Sequence, residues 1–384
     1  MHTELSQLDA FELAKRTLIS CGASEENATP LANGIISAEL EGIKSHGFHY
    51  LPIYCLHLQC QKVKGNAEPK IKVQSSVAFT VDADNGFAHR AFNLGFKDLL
   101  PAARENGIAS LAISNSYNCG VLGYHTQAIA KEKLIGIGFT NAPASIAPAG
   151  GIKPVIGTNP ISIAIHNEGS VKILIDQSAS VVAKSEISVR AKSGESIPTG
   201  WAFGPDGKDT NDPNIALQGT MAPTGGYKGF GIGLFVEIMT ACLTGANLGT
   251  QASSFADDKG APPGTGQFFI AINPDKYSDD FENKITSLIR NIEIEEKTRI
   301  PGSKRIANAL ANYLDEHCAT TFQVPSKDRI IVEQVAAPLP TYIVTTCRGR
   351  AFNLALGYLF ALIAVQDNVL VNEISFDVIG FMIK

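Results

Sequence analysis

The sequence predicts a mixed α/β fold with a helical N-terminal lobe, and three observations carry that expectation. Leu8, Phe11, Ala14 and Leu18 recur at helical spacing, and a second apolar-periodic run covers 28–40. Beyond Pro69 the texture changes: 71–73 and 77–81 read as short strands and 91–105 as a helix. Three further strands, 108–113, 135–140 and 171–175, are separated by helix-like segments, which is the pattern of a mixed α/β lobe.

Taken in order, Ser24-Glu25-Glu26-Asn27 is a start signal for the second helix, and a third helix is expected over 49–60. The stretch 141–157 is dense in Ala, Pro and Gly and reads as loop; 232–243 has the length of a helix and closes at Thr244-Gly245. A strand is expected over 268–272 and a helix over 279–291. The expected organisation is a helical lobe at 1–70 packed with 279–320, a mixed α/β lobe at 71–278, and an atypical tail at 321–384. No internal repeat is visible.

The chain has 384 residues, 45% of them hydrophobic and 18% charged, enough for two or three lobes with cores. A net charge of -5 with no basic cluster argues against nucleic acid or an anionic membrane as partner. Seven scattered cysteines without a C-x-x-C pair suggest free thiols in a reducing compartment, hence the cytoplasm. The polar start is no secretory signal. The apolar run 351–365 is too short for a membrane span.

Pro223 to Leu234, P-T-G-G-Y-K-G-F-G-I-G-L, is the most informative stretch. Its glycines permit tight turns, and a helix start beside Lys228 favours an anion; the same glycines would equally serve close packing. Neither nucleotide fingerprint fits, because Lys228 precedes Gly229 rather than Ser or Thr, and the glycine spacing is not G-x-G-x-x-G. Ser45-His46-Gly47 combines a histidine with a hydroxyl at a helix break, suited to proton transfer, with His49 as an alternative. No G-x-S-x-G elbow supports a serine hydrolase, and no histidine set supports a metal. The loop Asn115 to Gly123 follows a strand, where ligands gather. Asp176 sits similarly; Glu186 lies ten positions on, and Arg299 to Arg305 forms a basic turn.

Together S-H-G, N-S-x-x-x-G, G-T-N-P at Gly157 to Pro160, D-x-x-x-S at Asp176, G-G-Y-K-G and I-P-G-S-K-R resemble, in this order, the type 2 malate/L-lactate dehydrogenase family. The resemblance covers residues 8 to 305. That family includes malate, lactate, sulfolactate and ureidoglycolate dehydrogenases, a diketogulonate reductase and reductases of Δ1-pyrroline- and Δ1-piperideine-2-carboxylate. The resemblance implies a non-Rossmann α/β fold, a homodimer, and NAD or NADP held between lobes. It implies that His46 donates a proton, positioned by Ser45 and an acid at Glu186. Asn118, Cys119, Gly120, Val121, Leu122, Asp176, Tyr227, Lys228, Arg299, Lys304 and Arg305 match its cofactor-contacting positions. Tyr50 and His49 fall on the substrate side.

Four departures stand out. The family's S-H-G-x-x-R arginine, which clamps a substrate carboxylate, is Tyr50 here. Asn118 and Cys119 replace a histidine and an aromatic residue, and Tyr227 stands in the family's G-G-H-K-G. Beyond Arg305 the text departs from the family's short helical end, as a misjoined reading frame would make it. The expected activity is hydride transfer at C2 of a small carboxylate, leaning to a cyclic imine-2-carboxylate or a 2-oxo acid other than malate. The alternatives are a catalytically impaired nucleotide-binding homologue and, on 351–365 alone, a membrane-anchored protein.

Overall fold

The computed structural model describes residues 5–295, 297–309 and 311–312 and the backbone of four strands between 331 and 383. Helix α1 (Gln7–Ser20) begins where the Ser6 hydroxyl accepts the Asp9 N–H at 3.0 Å, and it buries Ala10, Ala14 and Leu18. Helix α2 (Glu25–Leu40) buries Ala28, Leu31, Ala32 and Ile35. Helix α3 (Leu51–Gln59) starts later than expected because Phe48–Tyr50 forms a 3₁₀ turn and a proline opens the helix proper. The three helices share one core with Tyr54, Leu58, Phe87 and Tyr117.

The chain continues through β1 (Lys70–Val73), β2 (Ala78–Asp82), α4 (Ala88–Asn106), β3 (Ile108–Ser116), α5 (Leu122–Lys131), β4 (Ile135–Thr140), β5 (Ile161–Asn167) and β6 (Ser170–Gln177). Then come α6 (Lys184–Ser193), β7 (Ala202–Phe203), α7 (Pro213–Gln218), β8 (Thr220–Met221), α8 (Tyr227–Glu237), β9 (Thr265–Ile272) and α9 (Phe281–Glu293). Seven strands form one sheet in the order β1-β2-β3-β9-β4-β5-β6. The pair β2–β3, joined by α4, is parallel, whereas β1–β2, β3–β9, β4–β9 and β4–β5 are antiparallel. A doubly wound dinucleotide fold needs parallel neighbours flanking a switch point. This sheet is therefore of the non-Rossmann kind that the resemblance implied.

Strand β9 is central, and Phe269 meets Phe92, Phe96, Leu111 and Ile113 in the main core. Each of these large side chains contributes roughly 1.5–3 kcal/mol by leaving water. A smaller cluster, Ile146, Ile156, Ile187, Ala202 and Met221, gathers α6, β7 and β8. Helix α9 sets Ile285 against Ile173 and Ile300, so its apolar side is used on β6. Further along the chain, Arg305 pairs with Glu41 at the end of α2.

Contacts among described residues group 5–166 with 171–306 in one unit, and 167–170 with the C-terminal strands in another. Those strands, β10 (Ile331–Val335), β11 (Thr341–Thr345), β12 (Ile374–Phe376) and β13 (Gly380–Ile383), form an antiparallel sheet ordered β10-β11-β13-β12. The apolar run 351–365 lies outside the described residues. Among those described, no helix is long and apolar enough to cross a membrane.

Candidate active site

The 3₁₀ turn Lys44–His46 follows α2 directly and presents the histidine. Ser45 Oγ lies 3.0 Å from His46 Nδ1, fixing the ring through that nitrogen. Among the described residues no hydrogen bond engages Nε2. Glu39 Oε1 accepts the Phe48 N–H at 2.6 Å, and a Cβ on Gly47 would fall 2.2 Å from that oxygen. The glycine of S-H-G lets the Glu39 carboxylate close the turn, and a larger residue would have to displace that side chain. Glu39 gave no signal in the sequence, being one acid among many on a helix.

Tyr50 stacks on His46, with ring centroids 6.4 Å apart and planes 12° from parallel. Its hydroxyl donates to the Phe255 carbonyl at 3.3 Å. Burial pushes the Tyr50 phenol up to about 12, with hydrogen bonds to Tyr117 and Asn118 acting the other way. It is a neutral donor at physiological pH, so an anion gains no ion pair at this position. His49 is exposed on the neighbouring turn.

Asp176, at the end of β6, accepts the Gly123 N–H at 3.0 Å and Arg305 Nη1 at 2.7 Å. Arg305 Nε also donates to Glu41 Oε2 at 2.7 Å, and Glu41 Oε1 accepts from Gln127 at 3.0 Å. One guanidinium thus ties the end of α2, and so the His46 turn, to the start of α5. Burial lowers the His46 pKa first; Asp176 raises it and Arg305 lowers it again. Glu186, on α6, pairs instead with Arg190 at 3.2 Å, four residues on, and is half exposed. Arg305, read from sequence as a cofactor contact, spends its charge on two carboxylates.

On the cofactor side, Asn118 Oδ1 accepts the Gly120 N–H at 2.6 Å and so shapes its own turn. The Cys119 and Leu122 side chains lie in the core, so this loop can offer a ligand its backbone, Asn118 and Val121 but not those two side chains. Burial raises the Cys119 thiol to about 12, which rules it out as a thiolate nucleophile. At α8, Gly225 and Gly226 both have φ of +67°, a conformation other residues resist, and nothing stands within 4 Å of a Cβ on either. No side chain caps α8; Tyr227 is 70% exposed and Lys228 is exposed in its first turn. That is an open, donor-rich helix start beside a cation, which fits a phosphate-bearing cofactor. Arg299 and Lys304 are exposed as well. Among the described residues no group of side chains could hold a metal.

The helix carrying Lys228 is anchored by G-T-N-P. Asn159 donates to the Gly233 carbonyl at 2.9 Å and to Glu237 Oε2 at 2.7 Å, and Glu237 Oε1 accepts the Gly249 N–H at 2.5 Å. The expected helix over 232–243 is α8 followed by a π-helical turn, Ile238–Cys242.

Under the Asn118 loop lie two buried histidines with ring centroids 5.0 Å apart, His89 and His125. His125 Nε2 lies 2.9 Å from the Cys119 carbonyl oxygen. Burial holds its pKa down at about 4, against a hydrogen bond that raises it. Below pH 6.5 the unfolded chain therefore takes up a proton that the folded one refuses, and stability falls until about pH 4. From pH 7 to pH 5 this histidine accounts for a loss of about 2 kcal/mol at 1.36 kcal/mol per unit. His125→Gln keeps a donor to Cys119, and urea denaturation at both pH values should show its acid loss smaller than the wild type's by that amount. Equal losses would remove His125 from the acid sensitivity.

Residues 5–314 match the family model for malate/L-lactate dehydrogenase. A (2R)-3-sulfolactate dehydrogenase (NADP(+)) of Chromohalobacter salexigens is 38% identical over 307 residues, covering 80% of this chain and 92% of the relative. A Δ1-pyrroline-2-carboxylate reductase of Ancylobacter novellus is 35% identical over 270 residues, 70% of this chain and 79% of its own. The crystal structure of Δ1-piperideine-2-carboxylate reductase from Pseudomonas syringae superposes with a TM-score of 0.77 at 31% identity, covering 81% of this chain and 94% of that one. With the Ser45–His46 turn, the open α8 start and a match across four-fifths of its length, this chain belongs to the malate/L-lactate dehydrogenase family and is an oxidoreductase.

Proposed function

We propose that this enzyme transfers hydride between NAD or NADP and C2 of a small carboxylate, with His46 moving the accompanying proton. The observation that carries the reading is the Ser45–His46 pair: Nδ1 is held at 3.0 Å and Nε2 is left for the substrate oxygen or imine nitrogen. When bound, the nicotinamide supplies or takes the hydride. The residues fit such a cofactor: Lys228 and the uncapped α8 start meet phosphate, and the Asn118–Val121 backbone lines the approach. Tyr227, Arg299 and Lys304 are exposed for the same role, while Arg305 and Asp176 brace the site. Glu186 is kept as an acid whose Arg190 partner would have to be exchanged for His46.

Within the small carboxylates, a cyclic imine-2-carboxylate is favoured over malate. Tyr50 gives a neutral hydrogen bond at most where a dicarboxylate would need a fixed cation, and its ring lies parallel to that of His46. NADH and NADPH oxidation with Δ1-pyrroline-2-carboxylate, Δ1-piperideine-2-carboxylate, pyruvate and oxaloacetate tests this. Turnover should be highest on an imine; cofactor binding without turnover on any of the four would establish the impaired homologue instead.

The enzyme is read as a homodimer working in the cytoplasm. Helix α8, its π turn and the residue that follows leave Ile232, Phe235, Ile238 and Leu243 each about half exposed on one stretch, and the Gly231 just before them is open. A contiguous apolar helix face of this kind is covered in oligomers. All five described cysteines are free, in keeping with a reducing compartment. Phe235→Glu should shift the sedimentation coefficient from dimer to monomer; an unchanged dimer would place the interface elsewhere.

A further inference from the structure

We infer that the loop 253–260 is the specificity-determining wall of the substrate side, with Phe255 as its discriminating side chain and Lys62 and His57 as positioning residues. The inference rests on the reading of His46 as the proton-transfer group.

Lys62 has no exposed side-chain surface. An ammonium has three N–H donors, and Lys62 places them on three carbonyls of this one loop: Ser254 at 2.5 Å, Asp257 at 2.9 Å and Lys259 at 2.7 Å. The Asp257 carboxylate lies 3.9 Å away and offsets the charge. A buried cation is costly unless every donor is met, so the arrangement holds together only while the loop keeps this conformation. His57 adds a second tether. Its Nε2 lies 2.8 Å from the Asp257 carbonyl, which can only accept, so Nε2 carries the proton and Nδ1 accepts from the Tyr117 hydroxyl.

The tethered loop delivers Phe255. Its ring meets Tyr117 edge-on at 5.4 Å, and its carbonyl accepts the Tyr50 hydroxyl at 3.3 Å. Tyr50 in turn lies parallel to His46 and edge-on to Tyr54 at 4.8 Å. From the loop to the proton-transfer ring there are thus two contacts. Phe255 is only partly buried, so its outer face is available beside the reacting group. A wall of Tyr50 and Phe255, with the buried Tyr117 ring packed behind it, has planar apolar faces and no cation. It fits the body of a ring-shaped substrate better than a short linear oxo acid, which has little apolar surface to cover.

The test compares wild type, Phe255→Ala and Lys62→Met, with NADPH saturating, on Δ1-piperideine-2-carboxylate and on pyruvate. Hydrogen exchange of 253–260 and the NADPH dissociation constant are measured alongside. Each variant should lower the ratio of kcat/KM for the imine over that for pyruvate by about tenfold or more, chiefly through KM, with NADPH affinity unchanged. In Lys62→Met the loop amides should also exchange faster. Phe255→Ala removes a partly exposed ring and keeps the test open if Lys62→Met fails to fold. A ratio unmoved in Phe255→Ala, or both substrates slowed equally, overturns the wall while wild-type turnover leaves the functional reading intact. Absence of wild-type turnover on both substrates refutes that reading and the wall with it.

Discussion

Replacing His46 with asparagine lowers kcat/KM for the preferred substrate by about 100- to 10,000-fold, the usual contribution of a positioned general acid. The NADPH dissociation constant stays nearly unchanged, because the open α8 start, Lys228 and the Asn118 loop are built by other segments. Asparagine keeps a polar group near Ser45 and removes the titrating nitrogen. Steady-state kinetics with fluorescence-monitored cofactor binding separates the two effects. Loss of cofactor binding in parallel would mean that His46 is a structural residue of the cleft.

The same histidine sets a pH dependence with a definite sign. Burial holds its pKa below the ordinary 6.5, so the free enzyme carries a neutral ring at pH 7. With His46 as the proposed proton donor, reduction should decline as pH rises through that lowered value. Oxidation needs the neutral ring and should level off above it.

The second large effect is structural. Arg305→Leu leaves Glu41 and Asp176, with side chains 9% and 12% exposed, facing each other without their cation. Removing one partner of a buried ion pair costs about 3–5 kcal/mol, far more than a surface pair is worth. Chemical denaturation should show a loss of that order. kcat/KM should fall with it, because the guanidinium joins the end of α2, which leads into His46, to Gly123 through Asp176. A loss below about 0.5 kcal/mol would mean that solvent screens the cluster and that it does not hold the turn.

How much of this was legible depended on sequence distance. Helices α1, α2 and α4 announced themselves because their buried residues recur at helical period within one segment. Ser45-His46 and Asn118 to Leu122 were findable because each sits at a break after a clear element. Period alone did not reveal β5, although it pairs with β4 in the sheet, nor that α8 would hand over to a π turn. The roles were least visible where partners are remote. Glu41 meets Arg305 from 264 positions away, and Lys62 reaches a loop 192 to 197 positions on. One sequence holds no trace of such pairs. Nor did it show that the Cys119 and Leu122 side chains would point into the core while their backbone shapes the loop, since an apolar residue in a glycine-bounded turn fits either role.

Among the departures from the family pattern, Tyr50 has the clearest physical account: its ring lies on His46 and its hydroxyl is taken by Phe255. Asn118 shapes its own turn through Gly120. For tyrosine rather than histidine at position 227, exposed beside Lys228, nothing in the structure gives a reason.

The central claim, hydride transfer at C2 with His46 as the proton donor, is tested most directly with NADPH carrying deuterium at both hydrogens of the nicotinamide C4. Wild-type enzyme and Δ1-piperideine-2-carboxylate should give a product with one deuterium at C2, read by mass spectrometry, while His46→Asn binds the same cofactor and yields almost none. Consumption of NADPH without deuterium at C2, or undiminished transfer in His46→Asn, would contradict the account.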